Sequence, residues 1–343
     1  MHGSLVTAIL WSLIPAIVLM AGIYYLDRYE KEPVRLIGIA LGAGVIAAPL
    51  ATAWIEKAFG VPNSVASSAV IVPGLQNANQ PIIEELVLGA ILVAVFFLVR
   101  YELDDVLDGL VYGGVVGVGF GMAANFWAIW TTPTLVGGIS THDLASTVLA
   151  SFNWVFYAGV IGLLLGTARR AALGRVIAMA VVGTGIAMGF HLLHDYIPSW
   201  LAANPDDIQT SGMARFLSNL PNLLGLVALA VIAVWASGRE KLLVSRELQD
   251  EVQAGVVSAD DYNTIVGPFR RFSVLAGAIG KGLGTWRLRR RLYVLEVELA
   301  FRKHHDKSDR VTPAKLLTPE EYRRQIVETR QALGAAPAAE AAS

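Results

Sequence analysis

The chain has 343 residues, 55% of them hydrophobic, with a mean hydropathy of +0.54 and only 16% charged, against roughly 25% charged in a soluble domain. Its charges are segregated: residues 1–238 hold 9 Lys/Arg and 14 Asp/Glu, whereas residues 239–343 hold 18 and 14. This balance excludes a soluble enzyme, a disordered chain or a nucleic-acid-binding domain as the main identity. The absence of cysteine excludes disulfides, thiolate metal sites and a cysteine nucleophile.

Residues 1–238 read as a polytopic, all-α membrane bundle, and residues 239–343 as a charged, helical cytoplasmic tail. A span needs ~20 mostly apolar residues, and seven segments qualify: about Leu5–Leu26, Leu36–Ile55, Pro81–Val99, Leu107–Trp130, Leu144–Leu165, Ile177–Ile197 and Phe216–Trp235. The first lacks a basic leader and a following A-x-A site, so it reads as a membrane helix and not as a signal peptide.

Between the spans, the loops 58–80, 131–143 and 198–214 contain no Lys or Arg, and only Lys57 and Arg215 sit at their edges. The other basic residues follow the first, third, fifth and seventh spans. The positive-inside rule then places the N-terminus outside and the C-terminus in the cytoplasm of a plasma-membrane (inner-membrane) protein. Residues 58–80 could form a re-entrant or interfacial piece. In the tail, Arg287–Arg291 with Trp286 and Leu292 suit either an anionic inner leaflet or a solvated helix face. The Ala-rich end, 334–343, is expected to be disordered.

Ionisable groups inside spans are rare and usually functional. Here they are Glu84 and Glu85 in the third span, and His191, His194 and Asp195 near the end of the sixth. Asn125 in the fourth span and Asn153 in the fifth add two amides. Given the topology, these fall near one level: Glu84, Glu85 and His191 in the outer third of the bilayer, Asn125 about five residues and Asn153 about nine residues from the outer ends of their spans. Each has a simple structural explanation: the helix dipole favours glutamates in a first turn, His191 and Asp195 can pair at i, i+4, and Asn153 can bond between helices. Their convergence points to chemistry. Two adjacent carboxylates in low dielectric cannot both ionise cheaply. Such a pair can take a proton from water and later return it, while a histidine orients the water or stabilises an oxyanion. Zinc remains possible on Glu and His donors. However, no H-E-x-x-H pattern occurs, and consecutive helix residues diverge by ~100°. No cofactor is expected. The fourth span carries glycines at 113, 117 and 121, with Gly109, Gly114 and Gly119 nearby, which predicts close helix approach.

Four segments occur together and in order: Asp27-Arg28-Tyr29-Glu30-Lys31-Glu32-Pro33, Pro81-Ile82-Ile83-Glu84-Glu85, Asp108-Gly109-Leu110-Val111-Tyr112-Gly113 through Gly119-Phe120, and His191-x-x-x-Asp195. In these the chain resembles, over roughly residues 20–200, the PrsW family of intramembrane proteases, related to the CAAX-processing type II proteases. The resemblance implies a glutamic-type or metal-assisted peptidase built on the two glutamates and the histidine. It also implies a membrane-anchored substrate such as a single-span anti-sigma-type regulator, cut on the outward side. Where the family carries Lys, Glu and His, this chain has Leu88, Ala124 and Asn153. Two readings follow. One is a peptidase with Glu84, Glu85 and His191 as catalytic residues, Asp195 and Asn153 supporting. The other is a non-catalytic relative that binds transmembrane segments. A proton-coupled transporter is a third class, disfavoured by the lack of an inverted repeat.

Overall fold

The computed structural model describes residues 5–29, 31–58, 79–103, 105–131, 141–203, 211–267, 269–307 and 317–334. The described residues are helical with no strand, and the chain divides into two compact units, Met1–Ala236 and Ser237–Ser343. The loop at 58–80 and the Ala-rich end at 334–343 lie almost entirely outside the described residues.

Among the described residues, seven helices are long and apolar enough to cross a membrane. They are α1 (Leu5–Leu26), the pair α2 (Val34–Gly42) and α3 (Ala48–Ala58) joined by a π-turn at Ala43–Ala47, α4 (Asn79–Val99), α5 (Val106–Thr131), α6 (Thr141–Thr167), α7 (Leu173–Ala203) and α8 (Ser211–Gln253). Every predicted span corresponds to one of these, with ends that differ by a few residues except at the end of α8, which continues from Trp235 to Gln253. α8 runs on past the apolar stretch, and the boundary between the units falls within it.

α5 is the central helix: 78% of its apolar window is buried, against 22% for α1 and for the α2–α3 span. Its glycines explain how. A Cβ on Gly113 would lie 2.5 Å from the Ala158 carbonyl oxygen and 3.0 Å from Gly162 Cα, so α5 and α6 touch backbone to backbone. On another face, a Cβ on Gly119 would meet the Leu41 carbonyl oxygen at 2.7 Å. Gly44 answers it from the π-turn, crowding Val116 in the same way. Where helices pack without a hydrophobic gain over lipid, small residues that permit this approach are what hold them together. The expectation drawn from the glycine spacing is met, and the glycines serve two neighbours instead of one.

The second unit comprises the end of α8 with α9 (Ala259–Val266), α10 (Arg270–Ile279), α11 (Leu283–Lys307) and α12 (Pro319–Ala332). Local sequence sets its helix starts. Ser258 caps α9 by accepting the Asp261 amide at 3.0 Å. Thr318 and Glu321 form a reciprocal capping box on α12, with Pro319 as its first residue, satisfying donors that a helix start leaves unpaired. Leu292, Leu295, Leu299, Tyr322 and Ile326 form a small apolar core. Beside it Arg330, 4% exposed, bonds Glu296 at 2.9 Å and Asp261 at 3.3 Å. Glu251 is held by Lys303 at 2.9 Å and Arg323 at 2.8 Å.

Candidate functional site

α4 enters the bundle with Gln80, Pro81, Glu84 and Glu85 in its first two turns, and α7 presents His191 to it. Glu85 is fully buried, and Glu84 and His191 are 9% and 8% exposed. Glu85 Oε1 lies 3.0 Å from His191 Nδ1. The other ring nitrogen, Nε2, faces Glu84 Oε2 across 3.9 Å, too far for a direct hydrogen bond. Gln80 donates to the second Glu84 oxygen at 3.2 Å. Glu85 Oε2 is buried without a hydrogen-bond partner among the described residues. The two glutamates, ~100° apart on their helix, thus reach opposite edges of one imidazole. No Lys or Arg pairs with any of the three among the described residues.

The imidazole is fixed by aromatic walls from α6. Tyr157 stacks on it with centroids 4.8 Å apart and planes 20° apart, and Trp154 meets it edge-on at 5.2 Å. Tyr157 is held in turn by Asn222 of α8, which donates to its hydroxyl at 2.7 Å. Asn153 donates to Asn219 of α8 at 2.9 Å, and Asn125 donates to Ser151 at 2.6 Å. The opening turns of α8 therefore close the polar layer. Pro221, between Asn219 and Asn222, removes one donor from the helix ladder at this level.

The structure brings Glu84, Glu85 and His191 into one cluster, as the common depth of their spans predicts. It places Asp195 beside His194, with Oδ1 2.9 Å from Nδ1, and gives the contact on His191 Nδ1 to Glu85. It places Asn153 against Asn219. Several members of the layer were not singled out from sequence: Gln80, Trp154, Tyr157, Asn219 and Asn222. A signal for the last two existed, since Ser218, Asn219 and Asn222 interrupt the start of an otherwise apolar span. Glu56, in the last turn of α3, is also close enough to Glu84 to interact electrostatically.

Fold and site together define a polytopic membrane protein with a buried carboxylate–imidazole cluster near one end of its spans. A sequence model described as the PrsW family intramembrane metalloprotease matches residues 32–236, and the chain belongs to that family. The match supports an intramembrane peptidase at the level of the family. No curated protein and no solved structure matches the chain.

The family's description implies a metal. A catalytic zinc takes three protein ligands and keeps one position open. Here Glu84 Oε2 and His191 Nε2 are the two donors that face a common point, while Glu85 lies on Nδ1, where a residue orienting a metal-bound histidine would sit. Among the described residues no three His, Cys, Asp or Glu side chains come together as a metal set. Of the positions where the resemblance implies Lys and His, Leu88 is fully buried in the apolar core, and Asn153 is tied to Asn219. Among the described residues the donor set falls short of the three protein ligands of a catalytic metal, and no step is derived through one.

Proposed function

We propose that this chain is an intramembrane peptidase that hydrolyses a membrane-anchored protein close to the outer face of the plasma membrane, using a water activated by Glu84. The observation that carries the reading is the 3.9 Å gap between Glu84 Oε2 and His191 Nε2, wide enough for a water that hydrogen-bonds to both.

Glu85, accepting from Nδ1–H, orients the ring and stabilises its protonated form, leaving Nε2–H for the reacting side. Water attacks the scissile carbonyl carbon, and its proton passes to Glu84. Protonated His191 Nε2 donates to the developing oxyanion. Glu84 then returns the proton to the leaving amine as the C–N bond breaks, giving a carboxyl and an amino terminus. Gln80 orients Glu84, and the Tyr157–Asn222 pair keeps the imidazole in plane.

The Lys/Arg asymmetry supports an N-out, C-in orientation, which puts this chemistry in the outer third of the bilayer. A single-span anti-sigma-type regulator suits that location. One observation favours a second reading, a non-catalytic binder of transmembrane segments: buried Leu88 and the Asn153–Asn219 bond close off two positions that are ionisable in the family.

The test is a comparison of membrane proteomes. Cells lacking the protein should accumulate an uncleaved single-span protein that wild type trims. Reintroduced Glu84→Gln should leave it uncleaved, and trimming by that variant would overturn the assignment of the base.

A further inference from the structure

The second unit carries a surface that the peptidase reading does not use. Between Tyr262 and Leu295 the chain has seven Lys/Arg and no Asp or Glu, although residues 239–343 as a whole hold 18 and 14. The concentration of one sign is therefore local. The structure sorts these residues into two adjacent exposed stripes.

On α10 the outward residues fall at helical spacing, with Phe269 68% exposed, Phe272 74% and Ile279 54%. On the first turns of α11, Leu283, Arg287, Arg290 and Arg291 are exposed at i, i+4, i+7 and i+8. Lys281 lies in the turn between them, also exposed. Arg290 stacks over the Trp286 ring at 5.6 Å. Lys281 and Arg287 make no ion pair among the described residues. The counter-charges that do occur sit at the margins: Arg270 bonds Asp260, and Arg289 turns inward to Asp261.

Large aromatic side chains left this exposed are unusual for a solvated face. An apolar stripe flanked by unneutralised cations and an interfacial tryptophan has the make-up of a helix that lies in a lipid headgroup layer. We propose that the α10–α11 surface binds anionic lipid headgroups, with Phe269, Phe272, Ile279 and Leu283 entering the interface and Lys281, Arg287 and Arg290 meeting the lipid charge. Charge complementarity selects this occupant, since a neutral surface would leave the cations desolvated and unpaired. The covalent tie through α8 to the membrane-spanning unit raises the local concentration of the bilayer. The proposal does not rest on the peptidase reading, nor on which side of the membrane the tail occupies.

The chain has no cysteine, so single positions can be labelled. A polarity-sensitive fluorophore on Ser273→Cys, exposed on the α10 stripe, is followed in the full-length protein reconstituted into nanodiscs. Discs of phosphatidylcholine alone are compared with discs containing about 30 mol% phosphatidylglycerol, in the range where surface charge attracts basic segments. Emission should shift to the blue in the anionic discs only, and the shift should shrink in ~1 M salt, where the screening length falls to ~3 Å. A control label on Arg324→Cys, exposed on α12, should not respond.

Each basic residue near an anionic leaflet is worth about 1 kcal/mol, or about fivefold in partitioning. Reversing Lys281, Arg287 and Arg290 to Glu together should therefore weaken docking roughly a hundredfold or more and abolish the shift. Emission that is the same in neutral and anionic discs would overturn the proposal, and so would a shift that ignores both salt and the triple reversal.

Discussion

Glu251 and Glu296 in the C-terminal unit, and Glu84 and Glu85 in the membrane unit, are all carboxylates withdrawn from water, but they face different partners. Glu296 meets the guanidinium of Arg330, and Glu251 meets Arg323 and Lys303. Burial pushes Glu251 up, yet the bonds from Arg323 and Lys303 outweigh it and hold the carboxyl below its ordinary value. Fixed cations close the charge on Glu251, whereas Glu296 shares Arg330 with Asp261, and burial with the Asp261 charge pushes its carboxyl well above the ordinary value. Among the described residues, Glu84 and Glu85 have one imidazole between them and no Lys or Arg. Two carboxylates and one histidine cannot reach neutrality by pairing alone, so their state depends on where protons sit. The first arrangement locks helices together, and the second is suited to moving a proton. Burial of a carboxylate is therefore no sign of function until its counter-charge is known.

The largest effect should come from opening the locked network. Arg330→Ala leaves Glu296 and Asp261 buried without their shared cation, a change that typically costs about 3–5 kcal/mol. Limited proteolysis should cut α11 and α12 much faster in this variant, while cleavage of substrate by the membrane unit should persist.

The next effect is catalytic. Glu84→Gln, Glu85→Gln and His191→Ala should each lower cleavage ~100-fold or more, with the protein still inserted and folded. An amide keeps the hydrogen bonds of the site and relieves repulsion between like charges. Loss of function without loss of folding would thus separate this cluster from the Arg330 network. Restoring the family residues sharpens the point. If the natural chain is active, Ala124→Glu with Asn153→His should add little. Cleavage that appears only in that double variant would show a non-catalytic relative. Chelation by 1,10-phenanthroline should leave the rate within a few-fold, because the donor set falls short of the three protein ligands of a catalytic zinc.

A smaller effect is expected from the walls of the site. Tyr157→Phe keeps the stacking on His191 but removes the acceptor for Asn222. Cleavage should fall by about tenfold at most, given that the lost bond is worth about 0.5–1.5 kcal/mol.

A separate effect, of pH on stability, is expected in the loop between α1 and α2. Burial, reinforced by the charge of Asp108, pushes the Glu32 carboxyl up to about 9, against the hydrogen bond that it accepts from Tyr112. Burial likewise pushes Asp27 up to about 7. A group whose folded pKa is raised contributes stability that is complete below its ordinary value and lost as pH rises through the folded value. Thermal stability of the membrane unit should therefore decline from about pH 5 towards pH 9, and Glu32→Gln should flatten the decline. Glu251, held low, has the opposite sign: its contribution is lost as pH falls below the ordinary carboxylate range.

The spans were legible because a membrane helix announces itself by length and apolarity. The glycines of α5 were legible because their spacing of four places them on one face. Glu84, Glu85 and His191 stood out because ionisable groups in apolar windows are few, and counting residues from the span ends set them at one depth. What sequence could not supply was helix rotation. The i, i+4 spacing of His191 and Asp195 suggests a pair, whereas in the fold Glu85, from a different helix, occupies the Nδ1 side. Tyr157 and Asn222 were hidden for the same reason: tyrosine and asparagine in a span have many uses, and only packing shows that these two brace the imidazole. The network around Arg330 was invisible because residues 239–343 hold many charges and nothing in the sequence marks which of them are buried.

The central claim is that Glu84, Glu85 and His191 hydrolyse a membrane-anchored protein. The most direct measurement incubates the purified full-length protein in lipid with membranes from cells that lack it, and maps newly formed protein termini by mass spectrometry. A new terminus near the outward end of a single-span protein should form with wild type and not with Glu85→Gln. The same terminus with both proteins, or no new terminus with either, would contradict the account.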